Sequence, residues 1–285
     1  GLFSLSFIPP LVLTFVYSES GREIFLYSFI FLFFLGGTLW VSTRQKNLPL
    51  NISDGFIITT MFWVVLACAG SIPFYFFGLS IGDSIFESVS GITTTGATTI
   101  IGLDTLPKSI LLYRQLLQWI GGMGLIILAV AVMPALGIGG GQLYKMELPG
   151  SHGNQKLTPK ITDSAKALWK IYVGLTVLCA TLYLISGMSL FDSIAHSLST
   201  VAGGGFSTHD ESIGFFDSGL IETVCIVFML LSAASFAVHY AAIFGGKPLK
   251  YFYDSEFRFF LSVIILIIMI SLLVHVISNS YADIF

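Results

Sequence analysis

Six stretches of this chain are long and apolar enough to cross a bilayer as helices, a feat that takes about 20 mostly apolar residues. They are Ile24 to Thr43, Gly55 to Phe77, Ile110 to Leu136, Ala167 to Ile185, Leu220 to Phe244 and Phe257 to Ile277, and the shorter run Leu2 to Tyr17 is a seventh candidate. Hydrocarbon offers backbone N–H and C=O groups no partner, so such a chain must satisfy them internally. The expected class is therefore an all-α polytopic membrane protein in contact with a lipid bilayer. Only 10% of the 285 residues are charged, against about 25% in soluble domains, which excludes an ordinary soluble globule. Nothing in the net charge of −3 supports binding to nucleic acid.

Two further stretches, Asp83 to Thr99 and Asp192 to Thr208, are too short and too polar to span, yet each lies between two spans. They read as re-entrant segments. If both return to the side they came from, the spans alternate and ten of the thirteen Lys and Arg collect on one face: Arg44, Lys46, Lys145, Lys156, Lys160, Lys166, Lys170, Lys247, Lys250 and Arg258. The opposite face holds Arg22, Lys108 and Arg114 together with eleven of the sixteen acidic residues. The positive-inside rule makes the basic face cytoplasmic, and both odd segments then open to the outside. Treating them as full spans would scatter the basic residues over both faces.

The two segments also match each other. DSIFESVSGITTTGATT lies over DSIAHSLSTVAGGGFST without a gap at a constant offset of 109, with seven of seventeen positions identical. A gapless match that aligns Gly96 with Gly205 argues against chance likeness between amphipathic stretches. The repeated unit is span, short helix, Gly-containing loop, span. Both copies start on the cytoplasmic side, so they are parallel, related by an axis along the membrane normal, and a central pore follows.

A loop of this kind suits a cation filter, in which backbone carbonyls replace the ion's hydration shell. Gly96 and Gly205 can take backbone conformations that turn carbonyls toward an axis, and Thr94 and Thr95 could add hydroxyl oxygens. The C-terminal end of each short helix would bring its negative dipole toward the ion. No carboxylate falls between Gly91 and Ile100 or between Ser193 and His209, so selectivity would rest on carbonyl dipoles and favour a weakly hydrated monovalent cation. The candidate ion-lining set is Thr94, Thr95, Gly96 and Ala97 in the first loop and Gly204, Gly205 and Phe206 in the second, with the cation at Thr94, Thr95, Gly96, Gly204 and Gly205.

ESVSGITTTGATT, LYRQLLQWIGGMG and GGGFSTHDESIGFFDS resemble the first pore loop, the following helix and the second pore loop of the Trk/Ktr/HKT superfamily of potassium transporters, nearest to its TrkH/TrkG branch. The resemblance runs along the whole chain. It implies span, pore helix, span repeats around one pore, preceded by two N-terminal helices, with Gly96 and Gly205 as filter glycines. It divides the chain into residues 1–50, the N-terminal helices; 51–145 and 146–250, the first and second repeats; and 251–285, the first helix of a third. It also implies potassium as the transported ion with no cofactor, a homodimer, a cytoplasmic nucleotide-binding regulatory subunit of the TrkA type, and a place in the cell inner (plasma) membrane.

Arg114, with Gln115 and Gln118, falls at the outer end of the helix after the first loop, where an intramembrane charge needs a partner. The structural reading is a brace to the short helix through Glu87 or Asp83; the functional one is direct control of ion passage. Gly121-Gly122-Met123-Gly124 and Gly137 to Gly141 follow no strand, so neither reads as a nucleotide-binding loop. The first suits close helix packing and the second an entry into a cytoplasmic loop. Cys68, Cys179 and Cys225 each sit within an apolar run, where thiols act as small hydrophobes. The five histidines lack ligand spacing, so no metal site is expected. The chain opens at Gly1 inside an apolar stretch and stops at Phe285 just after another, which reads as part of a longer chain.

Two other function classes remain to be weighed. A carrier of another small solute with paired re-entrant loops would want polar groups inside the spans, where they are sparse. A membrane-embedded enzyme would want a nucleophile and base or a metal set within the spans, and no such group is found. The topology is tested by reporter fusions: one after Gly150 should be cytoplasmic and one after Asp104 external. Both on one side would contradict the re-entrant assignment.

Overall fold

The computed structural model describes residues 1–43, 52–135, 158–243, 245–246 and 249–277. Among the described residues there is no strand. They form two compact units, Gly1–Ser232 and Ala233–Phe285.

The first unit opens with a 3-10 turn, Leu2–Phe7, that runs into α1, Ile8–Val16. Pro9 and Pro10 stand at the start of α1, where a missing N–H costs nothing. Then come α2 (Arg22–Thr43), α3 (Ile52–Phe77), α4 (Ile81–Ile92), α5 (Lys108–Ala135), α6 (Thr158–Ile185), α7 (Leu190–Ala202) and α8 (Gly219–Ser232). The short helices α4 and α7 are the two odd segments of the sequence. With 12 and 13 residues they rise only about 18–20 Å, well short of the hydrocarbon core. α4 packs between α3 and α5, and α7 packs against α5, α6 and α8. Long helix, short helix, loop, helix therefore occurs twice, the last helix of the second copy, α8, having only 14 residues.

The two short helices start in the same way, atom for atom. Ser80 and Ser189 are their N-caps, at φ −60°, ψ 159° and φ −60°, ψ 155°. Each serine hydroxyl accepts from the amide three residues on, Asp83 or Asp192, at 3.1 Å, and donates to that residue's carboxylate at 2.6 Å. The carboxylate in the first turn also meets the positive end of the helix dipole. Identical caps at an offset of 109 are what the internal repeat requires.

Polarity is inverted relative to a soluble protein. Glu87, Arg114, Gln115, Gln118 and His196 are buried, while Phe31, Phe34, Trp40, Val65 and Leu178 are exposed. Four helices among the described residues are long and apolar enough to cross a membrane: Arg22–Thr43, Ile57–Phe77, Lys166–Ile185 and Ser255–His275. Their apolar surfaces face outward, where lipid solvates them without penalty.

The N-terminal helices are held to α5 at two levels. The Tyr113 ring sits among Phe7, Phe25 and Phe74 at centroid distances of 5.6, 5.6 and 5.1 Å, and its hydroxyl donates to the Gly70 carbonyl at 2.7 Å. At the outer end, Glu19 accepts from the Lys108 and Ser109 amides at 2.7 and 3.2 Å, so one carboxylate satisfies two orphan donors of the α5 N-terminus. Close packing explains the glycines midway along α5: a Cβ on Gly121 would stand 1.9 Å from the Ile92 carbonyl oxygen.

The second unit contains α9 (Phe236–Ile243), α10 (Lys250–Tyr253) and α11 (Ser255–Ile277), with His239 Nδ1 and the Tyr251 hydroxyl 2.7 Å apart. The run Leu220 to Phe244, read from hydropathy as one span, departs from that expectation. Its helix stops at Ser232 and a new one starts at Phe236. Ser232 turns its hydroxyl back onto the Met229 carbonyl at 2.8 Å, and the Ser235 carbonyl accepts from the Val238 and His239 amides. The basic residues Arg44, Lys46, Lys145, Lys156 and Lys247 and the Gly137 to Gly141 run lie outside the described residues.

Replacing Glu19 by Gln removes the charge at the α5 N-terminus and should lower the thermal midpoint in detergent by about 2–4 °C. An unchanged midpoint would show that this cap does not hold the N-terminal helices in place.

Candidate ion-lining loops

At the end of α4 the chain tightens. The amides of Thr94 and Thr95 donate to the carbonyls of Gly91 and Ser90 at 3.0 and 2.9 Å, and Thr94 is driven to φ +56°. A β-branched residue in the left-handed region costs on the order of 1–3 kcal/mol, and it persists here because these bonds and the Thr93–Thr95 hydroxyl contact at 2.8 Å fix it. Gly96 follows at φ +79° and its counterpart Gly205 stands at φ +81°. The two loops touch: a Cβ on Gly96 would lie 1.9 Å from the Gly204 carbonyl oxygen. On Gly205 a Cβ would meet nothing within 4 Å, so only its backbone conformation requires glycine.

The carbonyls of Thr94, Thr95, Gly96, Gly204 and Gly205 take no hydrogen bond from the described residues. Ala97 differs, since its carbonyl accepts from Ser90 Oγ at 2.6 Å and so faces back to α4. Phe206 donates its amide to Gln118 Oε1 at 3.1 Å. With the Phe206 carbonyl, which likewise accepts no hydrogen bond from the described residues, six carbonyls of the candidate set are left for a ligand, at the C-terminal ends of two helices whose dipoles favour a cation.

Behind the loops lies one buried ion pair. Arg114 Nε donates to Glu87 Oε2 at 3.2 Å, both side chains fully buried. The same guanidinium donates to Thr98 Oγ1 at 2.9 Å and to the Ser207 carbonyl at 3.2 Å, and it lies over the Phe206 ring at 4.3 Å. One side chain on α5 therefore grips the outgoing limbs of both loops. The other Glu87 oxygen accepts from the Thr98 hydroxyl and, at 2.7 Å, from the Thr99 amide. In the second loop His196 and Ser207 meet at 3.0 Å. Gln115 is buried alongside, and its amide atoms have no partner among the described residues.

The segments that follow the two loops have their own links. Asp210 Oδ1 accepts from the Gly102 and Leu103 amides, both at 3.1 Å, and the Asp104 carboxylate bonds His209 Nδ1. That ring is stacked on Phe215 at 3.5 Å, with Asp192 Oδ1 3.6 Å from its Nε2. The His209 bond holds the Asp104 carboxyl below its ordinary range. A lowered carboxylate pKa stabilises this link above that range, and the contribution is lost only as pH falls through it. Asp83 does not join Arg114; it serves its own helix cap with Ser80. Among the described residues, no group of three or more His, Cys, Asp or Glu is placed to hold a metal.

Residues 21–285 match the family described as TrkH, cation transport protein. The chain belongs to the TrkH family. It is 47% identical over 287 residues to the Trk system potassium uptake protein TrkH of Vibrio parahaemolyticus, covering 99% of this chain and 59% of that protein. To the Escherichia coli K12 protein of the same name it is 45% identical, again over 99% of this chain and 59% of the relative. The crystal structure of the potassium transporter TrkH from Vibrio parahaemolyticus superposes with a TM-score of 0.87 at 44% identity, covering 99% of this chain and 58% of that one. The chain thus spans a little under three fifths of the length of these TrkH relatives.

Within the TrkH fold, the sequence pointed to the loop glycines and to Arg114 with Glu87. It did not point to Thr98, Ser207 or His196, which hold the outgoing limbs. A signal for them was present, because the offset of 109 lays His196 over Glu87 and Ser207 over Thr98. Changing Arg114 to Met strands a buried carboxylate and should cost about 3–5 kcal/mol, read as loss of folded protein in detergent. The double change Arg114→Met with Glu87→Met should cost less than the single one. A double variant no better than the single would contradict the pairing.

Proposed function

We propose that the protein carries potassium across the cell inner (plasma) membrane through a channel-like pore, with the two loops supplying half of a four-loop, carbonyl-lined filter. The observation that supports this most is the pair of loops themselves. Gly96 and Gly205 share one left-handed conformation at one register of the repeat, and the carbonyls beside them are uncommitted. A potassium filter needs oxygens that replace hydration water without binding the ion too tightly to release it. Neutral carbonyls and the Thr94 and Thr95 hydroxyls meet that need, and no carboxylate lies in either loop. The names of the relatives, Trk system potassium uptake proteins, point the same way.

On this reading residues 1–50 are N-terminal helices, 51–145 and 146–250 are the first two repeats, and the helix within 251–285 is the first of a third. The partners are a second copy of the protein and a cytoplasmic nucleotide-binding subunit of the TrkA type, both by resemblance to the family. The ion-lining residues are Thr94, Thr95, Gly96, Gly204 and Gly205. Arg114 and Glu87 are supports.

In the full-length protein, Gly96→Ser and Gly205→Ser should both weaken uptake of potassium relative to sodium. Gly96→Ser should be the more damaging, because the Gly204 carbonyl occupies the space its Cβ needs. An unchanged uptake ratio in both variants would contradict the assignment of these loops as the filter.

A further inference from the structure

Both repeats secure the outgoing limb of the loop from the same position on the short helix, but with different chemistry. In the first, Glu87 accepts from the Thr98 hydroxyl. In the second, the counterparts 109 residues on are His196 and Ser207, with His196 Nε2 3.0 Å from Ser207 Oγ. Glu87 is charged and is matched by Arg114. In the second repeat the helix that follows the loop, α8, reads GLIETVCIVFMLLS and carries no Lys or Arg. The second repeat therefore has no cation of its own for a buried carboxylate at 196, and a neutral group fits.

The hydrogen bonds show which ring nitrogen of His196 must carry a proton. His196 Nδ1 lies 3.0 Å from the Asp192 backbone carbonyl, which can only accept, so Nδ1 carries the proton. The ring is buried, which disfavours its charged form, and in the neutral ring Nε2 is the acceptor and Ser207 donates to it. Ser207 Oγ in turn accepts from the His209 amide at 3.0 Å, so its hydroxyl is used on both sides. The next atoms along the chain are the Ser207 carbonyl, held by Arg114, and the Phe206 amide, held by Gln118. Gly204 and Gly205 follow directly.

We propose that His196, as the neutral Nδ1–H tautomer, is a positioning residue for the second loop: through Ser207 it fixes the outgoing limb and so sets where the Gly204 and Gly205 carbonyls stand toward the ion. This rests on the reading of the two loops as a filter. It makes the repeats asymmetric, with a charged anchor at 87 and an uncharged one at 196.

The test is the ratio of potassium to sodium flux through full-length protein reconstituted in lipid vesicles. A merely structural defect reduces the amount of active protein without moving this ratio. His196→Leu and Ser207→Ala should each lower it by about fivefold, the order of one lost buried hydrogen bond. The double variant should lose no more than either single one. His196→Gln, whose amide oxygen can accept from Ser207, should retain most of the discrimination. Should His196→Leu fail to fold, Ser207→Ala and His196→Gln carry the comparison. Gly205→Ser is measured beside them. If it shifts the ratio while Ser207→Ala and His196→Leu do not, the role of His196 is overturned and the filter reading stands. If none of the three shifts it, both are overturned.

Discussion

A guanidinium and a carboxylate taken out of water into a membrane protein are tolerable only together, and the buried pair of Arg114 and Glu87 governs how the two loops are held. Removing charge from water costs several kcal/mol per ion even after relaxation, so each partner fixes the other. The pair then uses its remaining hydrogen-bonding capacity on loop atoms: Thr98 Oγ1 and the Thr99 amide in the first loop, the Ser207 carbonyl in the second. Because Arg114 stands on α5, which also receives Glu19 and the Tyr113 ring cluster, the N-terminal helices are coupled to the loops through one rigid element.

This arrangement leaves free what an ion pathway needs free. Side chains and amides behind the loops are committed, while the carbonyls of Thr94 to Gly96 and of Gly204 and Gly205 are not. The left-handed Thr94 and Gly96 are kept by bonds on the helix side of the loop. On the proposed filter reading, strain held in this way would pre-organise the oxygens, so that an ion need not order them as it arrives.

Much of this was legible in the sequence because it rests on periodic or repeated features. Spans follow from apolar length, the parallel repeat from the match at an offset of 109, and the loop glycines from that alignment. The brace between Arg114 and Glu87 followed from the cost of an unpaired intramembrane charge. What was not legible depends on contacts between residues far apart in the chain or on single local bonds. The break between Ser232 and Phe236 falls inside a run whose hydropathy is continuous. The Ser90 bond to the Ala97 carbonyl is another single local contact that no pattern announces. The link of Asp104 to His209 joins residues more than a hundred positions apart with no pattern to announce it, and Asp83 was occupied by its own cap.

The most direct test of the account is the position of a heavy potassium analogue in crystals of the full-length protein. Rubidium or thallium should give anomalous density between the loops, within coordination distance of the carbonyls of Thr94 to Gly96 and of Gly204 and Gly205. Density confined to the acidic residues Asp104, Asp192 and Asp210, with none between the loops, would contradict it.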